Sequence, residues 1–163
     1  MSQRKYRWFA VAFLVALAFD QLTKMWARSS LRIHGPITVL SGYFDLTYSE
    51  NHGVAFSVIR DVSSVRWLFV LLGIAALGVL VVYLRRAPAE SRRLALELGL
   101  VASGAVGNLI DRAVFGKVTD FVFWHVHTHA WPVFNIADAA LLVGVVGLLF
   151  DLKPTPTAEP RRT

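Results

Sequence analysis

Long apolar runs alternate with shorter polar segments along most of this chain. Four runs are close to the length that a helix needs to cross the hydrocarbon core of a bilayer, about 20 residues. They lack the strict alternation of apolar and polar residues that marks a strand, and leucine, alanine and glycine dominate them. The pattern therefore predicts a bundle of four transmembrane helices, over residues 8–27, 67–84, 94–112 and 133–150.

A segment of mixed character, residues 28–64, separates the first two runs. Turn-forming residues such as Gly35-Pro36 interrupt its apolar and aromatic positions, which predicts short strands and a small sheet. The helices and this subdomain would form one integral membrane domain, residues 1–152, followed by a disordered tail, 153–163. The predicted strand positions are Ile37, Val39, Tyr43, Phe44, Leu46, Tyr48, Val54, Phe56 and Val58.

The composition also favours a membrane protein. Of the 163 residues, 55% are hydrophobic and 17% are charged, whereas a soluble domain usually has about 25% charged residues. The absence of cysteine excludes disulfide scaffolds, thiolate metal sites and a cysteine nucleophile. The net charge of +6 comes from basic residues beside the apolar runs, so no nucleic-acid partner is predicted.

The distribution of lysine and arginine predicts how the helices are oriented. Ten of these residues lie in the N-terminal flank, the link between the second and third runs, and the tail, whereas six are spread over two longer segments on the other side. Because basic residues concentrate in cytoplasmic loops, both termini are predicted to be cytoplasmic. A cleaved signal peptide ending near residues 16–18 is the disfavoured alternative, since the apolar run continues to Trp26.

With the exception of Glu97, the polar residues inside the predicted helices converge at one depth. An ionisable side chain in a span costs roughly 2.5–3.5 kcal/mol, so each one needs a partner or a function. In the predicted orientation these residues fall near the outer ends of their helices, and residues three or four apart share one face. The predicted cluster comprises Asp20, Lys24, Gly104, Asn108, Asp111, Arg112, Asn135 and Asp138, with Asp120 in the outer link.

Structural explanations compete with functional ones for most of this cluster. Asp20 and Lys24, four residues apart, are favoured as an ion pair that holds the helices together. Asp111 with Arg112 is favoured as an anchor at the membrane interface. Asp138 favours a function, because it lies one turn inside an otherwise uncharged run.

The chemistry that the cluster permits is acid–base catalysis by carboxylates. Motifs of zinc proteases, serine nucleophile elbows and phosphate-binding loops are missing from the sequence. Two neighbouring aspartates can share one proton, so that one activates water and the other protonates the substrate, without a cofactor. Asp138 is one candidate, and Asp111 and Asp120 compete for the second place.

Three alternating histidines in the outer link, His125, His127 and His129, are spaced like a metal triad. They lie beside Trp124 and Trp131 in a predicted loop at the membrane surface, where interfacial residues are common. An interfacial role is favoured over a metal site, and no metal is predicted.

Five motifs occur in order along the chain: FDQLTK at 19–24, NHGVAFS at 51–57, GAVGNLIDR at 104–112, VTDF at 118–121 and FNIAD at 134–138. Together they closely resemble the family of bacterial lipoprotein signal peptidases, also called signal peptidase II. The resemblance extends from the first predicted helix through the fourth. His52 and Thr119 are small departures from the family pattern.

The resemblance implies an aspartyl endopeptidase with four helices in the bacterial cell membrane. We expect the protein to be a monomer. Its substrates would be prolipoproteins with a diacylglyceryl-modified cysteine, cut just before that cysteine at the outer leaflet among membrane lipids. The family pattern implies Asp120 and Asp138 as the catalytic pair. It implies supporting roles for Asp20, Lys24, Asn51, Gly104, Asn108, Asp111, Arg112 and Asn135.

Two functions of other classes remain as alternatives. A small proton-coupled transporter would use intramembrane Asp and Lys as proton carriers, but the cytoplasmic halves of the last three runs are almost wholly apolar. A lipid-binding subunit without enzymatic activity would explain the outer segment. It gives no reason for two aspartates at one depth.

Overall fold

The computed structural model describes residues 4–53, 62–126 and 128–151. Helix α1, Arg4–Trp26, continues through a π-helical turn, Ala27–Leu31, into the short helix α2, Arg32–His34. The other helices are α3, Val62–Arg86, α4, Arg92–Phe115, and α5, Ile136–Asp151. The strands are β1, Ile37–Leu40, β2, Phe44–Asn51, β3, Val118–Val126, and β4, His129–Ala130.

Among the described residues, three helical segments are long and apolar enough to cross a membrane: Arg4–His34, Arg66–Arg86 and Arg92–Phe115. They correspond to the first three predicted runs, and the first continues seven residues beyond its predicted end at residue 27. Helix α5 has 16 residues, about 24 Å at 1.5 Å per residue. It begins three residues later than predicted, because the chain before it pairs with β3.

Helix α4 lies at the centre of the bundle and packs against α1, α3 and α5. Small residues permit these close approaches. A Cβ atom at Gly99 would lie 2.7 Å from the carbonyl oxygen of Phe9 in α1, and one at Gly144 in α5 would lie 2.6 Å from a methyl group of Val101. Most large apolar side chains of α3 are exposed, as expected for a helix surface whose solvent is lipid.

A buried lysine joins α1 to the end of α3. Lys5 Nζ donates hydrogen bonds to the carbonyl oxygens of Arg85, at 3.1 Å, and Ala87, at 2.5 Å. The last carbonyl groups of a helix lack partners within the helix, and a cation there also complements the helix dipole. This contact fixes α1 against α3 at the end of the bundle opposite the sheet.

The four strands form one antiparallel sheet in the order β1-β2-β3-β4. Strands β1 and β2 confirm the predicted positions Ile37, Val39, Phe44, Leu46 and Tyr48. Tyr43 lies in the turn between the two strands, and Val54, Phe56 and Val58 lie outside the described residues. Strand β3 was not predicted, because its aspartate and histidines suggested a loop. Its valine and aromatic residues are the signal that would have indicated a strand.

The sheet is attached to the bundle where α1 and α4 end and α5 begins. Ala27 and Leu31 of the π-helical turn are buried with Phe121 and Val122 of β3. Phe134, just before α5, exchanges backbone hydrogen bonds of 2.8 and 3.0 Å with Val122. The start of α5 is thereby held beside β3.

Replacing Gly99 by alanine tests the central packing. The added methyl group must displace the α1 backbone, which costs about 1–3 kcal/mol, so the melting temperature in detergent should fall. Gly78 in α3 has nothing within 4 Å of an added Cβ, and Gly78→Ala is the matched control. Unfolding is monitored by tryptophan fluorescence. Equal melting temperatures for the two variants would contradict the contact between α1 and α4.

Candidate active site

Helix α5 begins with a reciprocal capping arrangement. The Asn135 side-chain oxygen accepts a hydrogen bond from the backbone amide of Asp138, at 3.0 Å, and Asp138 Oδ2 accepts one from the backbone amide of Asn135, at 3.3 Å. Such pairs satisfy amides that lack partners in the first helical turn. The cap fixes both side chains at the same end of α5.

Asp120 reaches this cap from β3. Its carboxylate is buried, with Oδ1 accepting a 2.6 Å hydrogen bond from Asn135 Nδ2 and Oδ2 accepting a 3.0 Å bond from Asn51 Nδ2. The register places Asn51 opposite Val118, so Asn51 and Asp120 are diagonal neighbours on one face of the sheet. The carboxylate is held by two amide groups from different elements.

Asn51 is fixed by the turn that follows it. Its Oδ1 accepts a 2.9 Å hydrogen bond from the backbone amide of Gly53, whose φ of 77° is in the left-handed region that favours glycine. This bond leaves the Asn51 NH₂ group directed at Asp120.

Asn108 of α4 connects the two carboxylate-bearing elements. Its Nδ2 donates a 2.7 Å hydrogen bond to Asp138 Oδ1, and its Oδ1 accepts bonds from Asn135 Nδ2, at 3.2 Å, and Lys24 Nζ, at 3.0 Å. Asp120 and Asp138 are therefore linked through two amides. Asp120 is buried, whereas Asp138 is half-buried, so the pair keeps one accessible side.

The pKa of Asp120 is raised to about 6. Burial is the main cause, because desolvation disfavours the carboxylate, and the nearby charge of Asp138 raises the pKa further. Hydrogen bonds from Asn51 and Asn135 and the charge of Lys24 oppose this shift. Asp120 therefore holds a proton at a higher pH than an ordinary aspartate does.

Lys24 of α1 compensates the negative charge of a second pair of aspartates. Its Nζ lies 3.0 Å from Asp20 Oδ2 and 3.6 Å from Asp111 Oδ2, and all three side chains are at most 1% exposed. Asp20 Oδ1 also accepts a 2.9 Å hydrogen bond from the backbone amide of Ala137 at the start of α5. The cluster thus joins α1, α4 and α5.

Asp111 is occupied by contacts to three elements. Besides Lys24, it accepts hydrogen bonds from Arg28 Nη1, at 3.2 Å, and from the backbone amide of Thr119, at 2.9 Å. Arg28 also donates a 3.0 Å bond to the Thr119 hydroxyl group and lies over the Phe115 ring. These contacts hold β3 against the end of α4. Asp111 therefore positions β3 on the bundle.

Two glycines of α4 make room for these contacts. A Cβ atom at Gly104 would collide with the carbonyl oxygen of Ala137, and one at Gly107 would collide with the Asp20 carboxylate. Glycine therefore lets the first turn of α5 and the carboxylate of α1 lie directly on α4.

Arg112 lies at the edge of the site. Its guanidinium is 5.0 Å from the Phe69 ring centroid and interacts electrostatically with Asp138, Asp120 and Asp111. Nη1 donates a 3.4 Å hydrogen bond to the carbonyl oxygen of Asn108, whereas Nε is buried without a hydrogen-bond partner among the described residues.

Every predicted site residue lies in this one region, and sequence reasoning missed Arg28 and the cap formed by Asn135. Arg28 could have been found, since it lies four residues after Lys24 on the same helix face. Of the predicted histidines, His125 lies 2.9 Å from Asp45, and His127 lies outside the described residues. No group of metal-ligating side chains occurs within the described ranges.

Apolar helices of membrane-spanning length, with two carboxylates linked through amides at one end of the bundle, fit a membrane enzyme of the aspartic peptidase type. The sequence matches the family described as Signal peptidase (SPase) II over residues 12–153. The chain belongs to the signal peptidase II family.

Related proteins agree with this assignment. A lipoprotein signal peptidase of Xylella fastidiosa is 38% identical over 154 residues, covering 91% of this chain and 92% of that protein. Another from Pseudomonas putida is 40% identical over 154 residues, covering 93% and 90%. A solved structure described as a bacterial membrane enzyme superposes with a TM-score of 0.80 at 26% identity, covering 95% of this chain and 93% of that one.

Replacing Lys24 by methionine tests the charge balance beneath the site. Asp20 and Asp111 would lose a buried cation, and breaking a buried ion pair costs about 3–5 kcal/mol, so thermal unfolding in detergent should occur at a clearly lower temperature. Lys117 pairs with Glu50 at 2.6 Å near the surface, and Lys117→Met should cost less than about 1 kcal/mol. Similar losses in both variants would show that Lys24 does not balance buried charge.

Proposed function

We propose that this protein removes the signal peptide from prolipoproteins, cleaving just before a cysteine that carries diacylglycerol. Membership of the signal peptidase II family supports the proposal, as do relatives named lipoprotein signal peptidase over about nine-tenths of the chain. The reaction is hydrolysis of one peptide bond. It needs water, an acid and a base, and no cofactor.

In this proposal Asp120 and Asp138 form the catalytic pair and share one proton. The ionised carboxylate removes a proton from water as the water oxygen bonds to the scissile carbonyl carbon, and the protonated carboxyl donates its proton to the carbonyl oxygen. The tetrahedral intermediate then returns that proton to the pair. Protonation of the leaving nitrogen breaks the carbon–nitrogen bond and gives a carboxylic acid and an amine.

The observation that carries this proposal is the different surroundings of the two aspartate pairs. Asp20 and Asp111 lie within ion-pair distance of Lys24, so a buried cation compensates their charge. Asp120 and Asp138 receive hydrogen bonds from neutral amides instead. Amides orient a carboxylate without forming an ion pair with it, and Arg112 acts on this second pair only through its charge. This difference is why we assign proton exchange to the second pair.

We place the pair at the outer leaflet, with four membrane crossings and both termini in the cytoplasm. The fourth crossing would comprise α5 and the residues around it, near 133–150. Basic residues support this orientation, since they gather at the end of the bundle opposite Asp120: Arg4, Lys5, Arg7, Arg85, Arg86, Arg92 and Arg93. Residues 1–152 would act as one monomeric domain, with 153–163 as a cytoplasmic tail.

This placement explains why the substrate carries lipid. Acyl chains held in the outer leaflet would keep the modified cysteine at the membrane surface, which is the depth proposed for the pair. Lipid attachment then reduces the search for the site to two dimensions and lowers the entropy lost on binding.

Conservative variants of the pair test the proposed chemistry. Asp120→Asn and Asp138→Asn preserve shape but cannot exchange a proton, so each should reduce kcat for a diacylglyceryl-modified prolipoprotein by at least about a hundredfold. The assay compares lipidated and unlipidated substrate, with and without chelator, using purified protein in detergent.

Asp45→Asn is the matched control, because Asp45 lies in the sheet and pairs with His125. It should cleave at the normal rate. Wild-type turnover by either site variant would remove that aspartate from the catalytic pair, and sensitivity to chelator would indicate a metal enzyme.

The raised pKa of Asp120 predicts the direction in which kcat/KM changes with pH. Above about pH 6 the free pair loses its shared proton, so kcat/KM should decrease with an alkaline midpoint near that value. Asn51→Ala removes a hydrogen bond that lowers the pKa of Asp120, and the midpoint should move to higher pH. Tyr48→Phe, which removes a hydrogen bond to Glu50 in the same strand, should leave the midpoint unchanged. A downward shift in Asn51→Ala would contradict the assignment.

A further inference from the structure

A second polar feature lies at the other end of the bundle, away from the proposed active site. An open groove of about 460 Å³ runs between α4 and α5. Glu97, Arg92 and Arg93 line its polar end, and Leu96, Leu100 and Val143 line its apolar walls. The groove has a charged end and apolar walls, which match the charged headgroup and the apolar chains of a phospholipid.

Glu97 is the unusual residue of this groove. It is 7% exposed, and its Oε1 accepts a 2.8 Å hydrogen bond from Arg93 Nε. Its Oε2 is buried without a hydrogen-bond partner among the described residues. A buried carboxylate oxygen without a donor is costly. Glu97 borders the groove, so a rotation of its side chain would present this acceptor to a cationic donor.

The close approach of Glu97 to α5 depends on Gly147. A Cβ atom at Gly147 would lie 2.6 Å from Glu97 Oε1 and 2.8 Å from its carboxyl carbon. Glycine at this position lets the carboxylate lie in the groove between the two helices. The arrangement is therefore built by residues of both helices.

Two guanidinium groups flank the carboxylate. Arg93 pairs with Asp151 at 3.1 Å as well as with Glu97, through its Nε. Arg92 lies over the Trp8 ring, with its guanidinium carbon 3.9 Å from the ring centroid. Both arginines are exposed, so they can donate hydrogen bonds to a phosphate at the groove entrance.

The apolar part of the groove continues along the bundle. A neighbouring groove of about 420 Å³ shares Leu100 and Val143 with the first and extends between α1 and α5 to Phe19 and Ile136. Its lining is almost entirely apolar. An acyl chain could therefore lie along the helices from the charged end to the depth of Ile136.

We propose that this groove binds a phospholipid whose headgroup carries a primary ammonium, of the phosphatidylethanolamine class. The ammonium donates to Glu97 Oε2, the phosphate contacts Arg92 and Arg93, and one acyl chain occupies the apolar groove. The inference depends on the membrane location of the bundle. It does not depend on the proposed catalytic pair.

The charges select this headgroup over other phospholipids. An anionic lipid such as phosphatidylglycerol would satisfy the arginines, but its headgroup offers the Glu97 oxygen only neutral hydroxyl donors, which bind a carboxylate more weakly than an ammonium does. A choline headgroup has a positive charge but no N–H group, so it cannot donate a hydrogen bond to that oxygen. The ethanolamine headgroup complements both parts of the site.

Native mass spectrometry of the purified full chain tests the proposal with three probes of identical acyl chains: phosphatidylethanolamine, phosphatidylcholine and phosphatidylglycerol. We expect the ethanolamine lipid to bind about tenfold more tightly than either of the others, the ratio expected for one additional charge-assisted hydrogen bond. Equal or tighter binding of phosphatidylglycerol would overturn the proposal and indicate an unspecific basic surface.

Three variants separate the head contact from the chain contact. Glu97→Gln should abolish the preference for ethanolamine, whereas Glu90→Gln, which removes the same charge from an exposed residue near Arg4, should retain it. Val143→Trp fills the apolar groove from an exposed position and should weaken all three lipids without changing their order. A retained preference in Glu97→Gln would overturn the head assignment, and unchanged affinity in Val143→Trp would overturn the chain assignment. Cleavage activity is not the readout, so failure here would leave the proposed peptidase unaffected.

Discussion

The structure depends on balancing buried negative charge at one end of an apolar bundle. Asp20, Asp111 and Asp120 are each at most 2% exposed, and an isolated carboxylate in such surroundings is strongly disfavoured. Lys24 lies between the first two carboxylates and compensates their negative charge. Its central position fixes how closely α1 and α4 approach, and Asp20 carries this constraint to α5 through the backbone amide of Ala137.

The same region separates structural carboxylates from those proposed to be catalytic. Ion pairs with Lys24 compensate the charges of Asp20 and Asp111, so these residues are suited to hold helices together. Amides hold Asp120 and Asp138 instead, and an amide orients a carboxylate without forming an ion pair with it. The contrast is one of partners rather than of residue type, and it is consistent with proton exchange at only one of the two pairs.

Hydrophobic exposure has a different meaning in this molecule than in a soluble domain. The outer face of α3 is apolar because lipid is its solvent, and the close contacts between helices are made by glycine and alanine. Polar side chains are therefore restricted to the ends and interior of the bundle. Glu97 follows this rule at the end opposite Asp120, where Arg93 pairs with it.

Local sequence patterns were sufficient to predict the apolar helices, the strands β1 and β2, the family and the polar residues that gather at one end of the bundle. These properties follow from local periodicity, composition and ordered motifs, which need no knowledge of contacts between distant residues. The start of α5 was placed three residues too early, because the pairing of Phe134 with Val122 is a long-range contact.

Only the tertiary structure distinguished the surroundings of Asp111 and Asp120. The sequence predicts a suitable membrane depth for both aspartates. In the structure, the strand pairing of β3 brings Asp120 to Asn51 and Asn135. Asp111 is surrounded instead by Arg28, Lys24 and Thr119. The partners of a buried charge come from segments far apart in the chain. Since those partners decide whether a carboxylate is neutralised or remains able to exchange a proton, its chemistry is a property of the fold.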